Sequence, residues 1–381
     1  MIRNRQQDCP PVPLPRFTDI VDALPETVPF VGPEAIERQT GIPVRARIGA
    51  NESGFGPSPR VLAAMADAAP QIWRYPDPEN HVLRTALAER LGISSDEVTI
   101  GEGIDGLMGL IVRMFIAPGD KVVTSLGAYP TLNYHIVGHG GVLELVPYRG
   151  EHEDLMALAA AAGRVGAKMV YVANPDNPMG SYWPVAEIEA FIAAVPEDCL
   201  ILLDEAYGEL APADGLPEIN TQKANVLRLR TFSKAYGLAG IRCGYAFGDR
   251  RIIRAFDRVR NHFGVNRQAQ VAALAALADD DYLRQVQLKV AAARDRIGEI
   301  AIASGLTPLP SATNFVAVDC GRDGAFAMAV LKALANRGVF VRKPMVAPHD
   351  RCIRISVGPE AEMQILAEAL PQALQDAQGA V

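Results

Sequence analysis

Lys234 stands among residues that could turn an amine into a chemical tool. It lies in Thr231-Phe232-Ser233-Lys234-Ala235-Tyr236-Gly237-Leu238-Ala239-Gly240-Ile241-Arg242. A lysine in an enclosed site loses part of its affinity for the proton and becomes a nucleophile toward carbonyl carbon. The hydroxyls of Thr231 and Ser233 and the guanidinium of Arg242 could hold an anion beside it. A lone lysine is ordinarily a solvated surface charge. The Ser and Gly pattern around this one sets it apart.

Four other segments carry groups of the same kind, each with a plainer structural reading beside it. Leu202-Leu203-Asp204-Glu205-Ala206-Tyr207 puts a carboxylate at the end of an apolar strand, where open α/β sheets bind ligands. A helix N-cap reads as well there. Asn174-Pro175-Asp176-Asn177-Pro178-Met179-Gly180 is a rigid turn after another strand, and an amide in it could donate to a ligand oxygen. Cys352-Ile353-Arg354-Ile355-Ser356-Val357 is an apolar strand with one arginine, suited to a carboxylate ligand or to an internal ion pair. Gly101-Glu102-Gly103-Ile104-Asp105-Gly106 matches GxGxxG in form. The following strand ends Val123-Thr124-Ser125-Leu126, without the acid a dinucleotide site needs. A Gly-rich turn opening a helix remains a good phosphate seat, through free N–H groups and the helix dipole; a plain structural turn reads as well there.

These residues need a frame that brings strand ends together. Lys121–Ser125, Val142–Val146, Lys168–Ala173, Leu200–Leu203 and Val226–Leu229 read as short apolar strands, with Val98–Ile100 before them. Amphipathic stretches such as Asp154–Ala162 and Val185–Val195 lie between. Strands without polar alternation suit a sheet covered on both faces, and regular alternation with helices predicts a mostly parallel one. Helices dominate from Gln268–Ala278 and Tyr282–Ala303. A second α/β unit follows: Asn314–Val318, a helix near Phe326–Arg337, strands at Val339–Val341 and Cys352–Val357, and a helix from Pro359. The expected division is an N-terminal arm over 1–50, a large domain over 51–275 and a small one over 276–381.

Composition excludes several classes. The 381 residues are 49% hydrophobic and 21% charged, enough to bury large cores. Lys and Arg number 37 against 44 Asp and Glu, so no basic surplus points to nucleic acid. No apolar run reaches the roughly 18 residues of a membrane span, and the basic, Pro-rich start has no apolar core of a signal peptide. Five scattered cysteines without CxxC predict neither a disulfide framework nor a zinc site. His135 and His139 have helical spacing but no third ligand nearby, so no metal is expected. The expectation is a cytoplasmic enzyme.

The ordered set of motifs resembles the fold-type I pyridoxal-5′-phosphate (PLP) enzymes of the class I/II aminotransferases, in particular the histidinol-phosphate aminotransferase group. Val28-Pro29-Phe30-Val31-Gly32-Pro33-Glu34, Asn51-Glu52, Gly56-Pro57-Ser58-Pro59, Arg74-Tyr75-Pro76-Asp77-Pro78, Asn266 and Gln270-Val271-Ala272-Ala273 belong to it. The resemblance runs from about residue 25 to the C-terminus. It implies a large domain with a mostly parallel, seven-stranded-type sheet and a smaller α/β C-terminal domain. It implies that Lys234 carries the cofactor and moves the substrate's α-proton, and that Asp204 pairs with the pyridinium nitrogen. Tyr207 and Asn177 would donate to the ring oxygen, and Tyr129 would stack on the ring. Gly103, Ile104 and Asp105 would offer amides to the phosphate, with Thr231, Ser233 and Arg242 closing the cup. Tyr75 would reach the phosphate of a partner subunit, which implies a homodimer. Arg354 would grip the substrate beside Asn51.

The sequence departs from the group at Ile104 (usually Ser or Ala), Gly106 (usually Glu), Met179 (usually Thr) and Ser53-Gly54-Phe55 (commonly Asn-Pro-Tyr). The activity implied is ping-pong amino transfer between an amino donor and a 2-oxo acid, with histidinol phosphate as the first donor to consider. An aromatic or broad-range aminotransferase is the alternative. A decarboxylase of the threonine-phosphate type, or a non-catalytic regulator on the same scaffold, stands further off.

Overall fold

The computed structural model describes residues 15–26 and 31–380. Val28, Pro29 and Phe30 of the opening motif lie outside the described residues, as does the Pro-rich start. In chain order the strands are β1 (Ala46–Arg47), β2 (Val98–Gly101), β3 (Lys121–Ser125), β4 (Val142–Val146), β5 (Met169–Ala173), β6 (Leu200–Asp204), β7 (Val226–Thr231), β8 (Gly244–Gly248), β9 (Thr307–Pro308), β10 (Phe315–Asp319), β11 (Val339–Phe340) and β12 (Cys352–Ser356). Seven of them form one sheet in the order β2-β8-β7-β6-β5-β3-β4. β8 runs antiparallel to both neighbours, and the other pairings in the sheet are parallel. The expected strands fall within a residue or two of these, but β8 (GYAFG) goes unread in the sequence. Its flanking glycines resemble turn punctuation, whereas both faces of the strand are buried.

Successive side chains on a strand point to opposite faces, and the core divides accordingly. Val122, Met169, Tyr171, Leu200, Leu202, Leu227 and Leu229 pack on one face with the helix Gly103–Phe115. Val123, Val170, Val172, Ile201, Leu203 and Val226 pack on the other with helices Leu155–Val165 and Val185–Ala194. Fully burying a Leu- or Phe-sized side chain contributes about 1.5–3 kcal/mol. β3, β5, β6 and β7 therefore each make a double contribution, one from each face, whereas β4 at the edge buries only Val146.

The C-terminal unit is built on the antiparallel sheet β12-β10-β9, flanked by helices Gly324–Ala335 and Glu360–Ala380. β1, from the N-terminal arm, adds in parallel to β11. One apolar cluster runs from Val98, Ile100 and Phe247 at the edge of the large sheet to Val316, Ile353 and Leu366 of this unit. Helices Arg267–Leu277 and Asp280–Ala303 are separated by a break at 278–279. Among the described residues no helix is long and apolar enough to cross a membrane.

The turn after β7 is held by close backbone approach. Gly237 has φ +68°, and a Cβ there would lie 2.5 Å from the Gly56 carbonyl oxygen. Gly41 has φ +70° with open space around it. Gly41→Ala should therefore cost about 1 kcal/mol from strain alone, and Gly237→Ala distinctly more. Thermal denaturation of both variants checks this; equal shifts in midpoint would contradict it.

Candidate active site

The parallel strands end around a cavity of about 220 Å³. It lies at their C-terminal ends, where a doubly wound sheet exposes strand termini and following loops. Ten of the residues singled out in the sequence line it: Ile104, Asp105, Tyr129, Asn177, Asp204, Tyr207, Thr231, Ser233, Lys234 and Arg242. They come from five separate segments: the start of the helix Gly103–Phe115, the Tyr129 turn, the Asn177 turn after β5, the end of β6, and the stretch Thr231–Arg242 that leaves β7.

Asp204 is the last residue of β6 and is 4% exposed. Its Oδ2 accepts from the Tyr171 hydroxyl at 2.8 Å and its Oδ1 from the Ala206 amide at 2.9 Å. Burial pushes this carboxyl up to about 6, against the pull of those two donors. Lys234 is partly buried, and its Nζ donates to the Asn51 carbonyl oxygen at 3.1 Å. Burial, aided by the Arg354 guanidinium, pulls its amine down to about 8. The cavity thus places a buried carboxylate and an amine that gives up its proton more readily than usual on its lining, each tethered to a different part of the fold.

A helix start that could seat an anion adjoins them. The helix Gly103–Phe115 begins here, with Gly103 at φ +77°. A Cβ on Gly103 would sit 2.5 Å from the Arg242 guanidinium, so glycine is what lets Arg242 lie over the helix start. Ile104 is buried, and as the second residue of the helix its backbone N–H has no partner within the helix and could serve an anion whatever its side chain. Thr231 Oγ1 donates to Ser233 Oγ at 2.9 Å and accepts from the Ser233 amide at 3.1 Å. Tyr129 Oη donates to Asp105 at 3.1 Å, which fixes the ring beside the seat. Both Tyr129 and Tyr207 are held in their phenol form by burial.

Asn51 has a role the sequence did not suggest. It is 2% exposed with φ +56°. Its Nδ2 donates to Tyr207 Oη at 3.0 Å, and its Oδ1 accepts from Ser356 Oγ at 3.0 Å. Its carbonyl accepts from Lys234 and from Asn314 Nδ2. Asn51 therefore joins the N-terminal arm, the large sheet and the C-terminal unit around the amine. Arg354 stands behind Asn177, donating to its Oδ1 and reaching the Gly49 carbonyl at 3.4 Å. Burial lowers its guanidinium to about 10. Tyr75 is outside the cavity, 77% exposed, with its ring 4.7 Å from Phe263.

Other contributors were missed. Tyr171 hides in an apolar strand, MVYVA. Asn314 sits in a turn 263 positions from the carbonyl it grips. Glu153 and Asp176 form a buried carboxyl pair under the Asn177 loop. Glu153 accepts from Ser125 Oγ and the Ala173 amide, and Asp176 from Tyr148 Oη and the Met179 amide. No sequence signal separates these from ordinary core or turn residues. Among the described residues no cluster of His, Cys, Asp and Glu is suited to a metal ion.

Residues 47–370 match the family model described as aminotransferase class I and II, and the chain belongs to that family. Its fold is the fold-type I aminotransferase fold. It is 36% identical over 366 residues to a histidinol-phosphate aminotransferase of Anaeromyxobacter, covering 95% of this chain and 100% of that one. It is 32% identical over 377 residues to another from Moorella thermoacetica, covering 98% and 97%. A crystal structure of histidinol-phosphate aminotransferase from Sinorhizobium meliloti, in complex with pyridoxal-5′-phosphate, superposes with a TM-score of 0.93 at 57% identity, covering 95% of this chain and 98% of that one. The aspartate aminotransferase of Thermus thermophilus, at 23% identity and TM-score 0.79, shares the fold.

The lowered affinity of Lys234 for its proton has a consequence for the cofactor-free chain. An unfolded lysine near 10.5 binds a proton that the folded one, near 8, gives up. Stability should therefore rise between about pH 8 and 10.5, with the burial cost fully present below pH 8. Lys234→Met should remove that rise and stabilise the cofactor-free chain at pH 7 by on the order of 1 kcal/mol. Parallel denaturation curves for the two proteins at pH 7 and pH 10 would contradict it.

Proposed function

We propose that this chain is a cytoplasmic, homodimeric, PLP-dependent aminotransferase that takes histidinol phosphate as amino donor and a 2-oxo acid as acceptor. The observation that carries the reading is the pairing of Lys234, near 8, with the buried Asp204 carboxylate across one cavity beside an anion seat. PLP supplies, when bound, a carbonyl carbon for the amine and a ring that takes up the electrons of a broken Cα–H bond.

The residues fit that group. Asp204 would hold a proton on the ring nitrogen, since a buried carboxylate strongly favours a cation beside it. Tyr207 and Asn177 would donate to the ring oxygen, and Tyr129 would lie flat against the ring. The amides of Gly103, Ile104 and Asp105, with Thr231, Ser233 and Arg242, would bind the phosphate. Lys234 would hold the cofactor and then, freed, take the substrate's α-proton on Nζ. An amine near 8 is well matched to both steps at neutral pH.

The substrate assignment draws support from the named relatives and from Arg354 and Arg342. These two arginines pair backbone to backbone across a bridge between neighbouring segments, and Arg342 adds to the lowering of the Arg354 guanidinium. Paired arginines favour a doubly charged phosphate. The dimer reading rests on Tyr75 and the exposed apolar side chains Ile72, Trp73 and Phe263 beside it, a surface of the kind that a second copy would cover.

Reconstituted protein should lose its visible cofactor band rapidly with histidinol phosphate and slowly with phenylalanine, tyrosine or glutamate. Preference for an aromatic donor would move the chain to the aromatic aminotransferases, and release of carbon dioxide to the decarboxylases. Lys234→Ala should abolish turnover. Arg354→Ala should raise KM for the donor about tenfold or more while changing kcat less; an unchanged KM would remove Arg354 from the substrate site.

A further inference from the structure

We propose that Tyr171 is a positioning residue for the cofactor, acting through the hydrogen bond that its hydroxyl donates to Asp204. The inference rests on the PLP reading above.

Tyr171 lies in the middle of β5, 1% exposed, with its ring in the apolar cluster on one face of the sheet. Register explains its reach. Tyr171 pairs with Leu202 and Ala173 with Asp204, so Tyr171 and Asp204 have the same parity on adjacent parallel strands and point to the same face. Packing alone asks for a ring at this position, and phenylalanine would supply it. The hydroxyl is extra, and a buried hydroxyl must find a partner. That partner is Asp204 Oδ2, at 2.8 Å. With the Ala206 amide on Oδ1, each carboxylate oxygen takes one protein donor, which fixes the plane of the group. Tyr171 also lines the cavity, so its ring forms part of the surface on which a ligand would rest.

The hydroxyl has a second effect. Burial works against the ionised carboxylate, and so does Asp105 from the helix Gly103–Phe115. Tyr171, the Ala206 amide and Lys234 work for it. Tyr129 and Tyr207 also face Asp204 and stay neutral. Removing the Tyr171 hydroxyl takes away one of the few donors that keep Asp204 charged, and a neutral Asp204 cannot hold a proton on a ring nitrogen.

The test is Tyr171→Phe, read by the dissociation constant of PLP across pH, with Asp204→Asn as the second background. The variant keeps the ring, so the fold should be retained, as circular dichroism would show. At pH 8 its dissociation constant should rise about tenfold, the usual scale for losing one hydrogen bond to a charged group. The acid limb of binding against pH should move upward by about one unit. In the Asp204→Asn background, Tyr171→Phe should change binding less than about twofold. An unchanged constant and acid limb in Tyr171→Phe would overturn the proposal. So would an equal loss in the Asp204→Asn background, because the hydroxyl would then act by some route other than Asp204. A wild-type chain that bound no PLP would overturn this inference and the functional reading together; normal wild-type binding with an unaffected variant would overturn this inference alone.

Discussion

Two groups of opposite charge share one cavity, and the fold keeps each fastened elsewhere. Asp204 is tied to Tyr171 and the Ala206 amide. Lys234 is tied to the Asn51 carbonyl. Neither tether comes from the other member of the pair. A buried carboxylate and a buried amine attract strongly in a low dielectric, and a collapsed pair would fill the space between them. Holding them on separate anchors is the constraint the rest of the structure serves. It explains why the carboxylate ends a central strand covered on both faces, where its backbone cannot move. It also explains why the lysine sits on a turn pinned by Gly237 against Gly56.

The anchor of Lys234 reaches across the whole molecule. Asn51 belongs to the segment that follows β1, and β1 pairs with β11 of the C-terminal unit. Ser356, at the end of β12, bonds to both the amide and the side chain of Asn51. Asn314 bonds to the carbonyls of Asn51 and Glu52. The position of the amine is therefore set jointly by the large sheet and the C-terminal unit. A shift of one against the other would be felt at Nζ. That coupling links packing far from the cavity to the chemistry inside it.

Much of this was legible in the sequence, and the limits are physical. The parallel strands announced themselves as short apolar runs, because strands covered on both faces have no polar face to show. The lining residues that carry charge or a turn motif, such as Lys234, Asp204, Asn177 and Arg242, were found through their neighbours. β8 escaped because its glycines imitate a loop. Tyr171 escaped because one hydroxyl in MVYVA changes neither periodicity nor composition; only the register of β5 on β6 gives it a partner. Asn314 and Ser356 escaped because their partner is hundreds of positions away. Asn51 was legible as a residue near the substrate, but its bonds to Tyr207, Ser356 and Lys234 were not, because they join distant parts of the chain. Tyr75 projects from the surface, outside the cavity.

The central claim is that Lys234 is the amine that carries the cofactor. It is tested most directly by reconstituting the protein with PLP, reducing it with borohydride and mapping the modified peptide by mass. The account predicts one reduced adduct per chain, on the peptide containing Ser233-Lys234-Ala235. An adduct spread over several lysines, or fixed on a lysine outside the cavity, would contradict it.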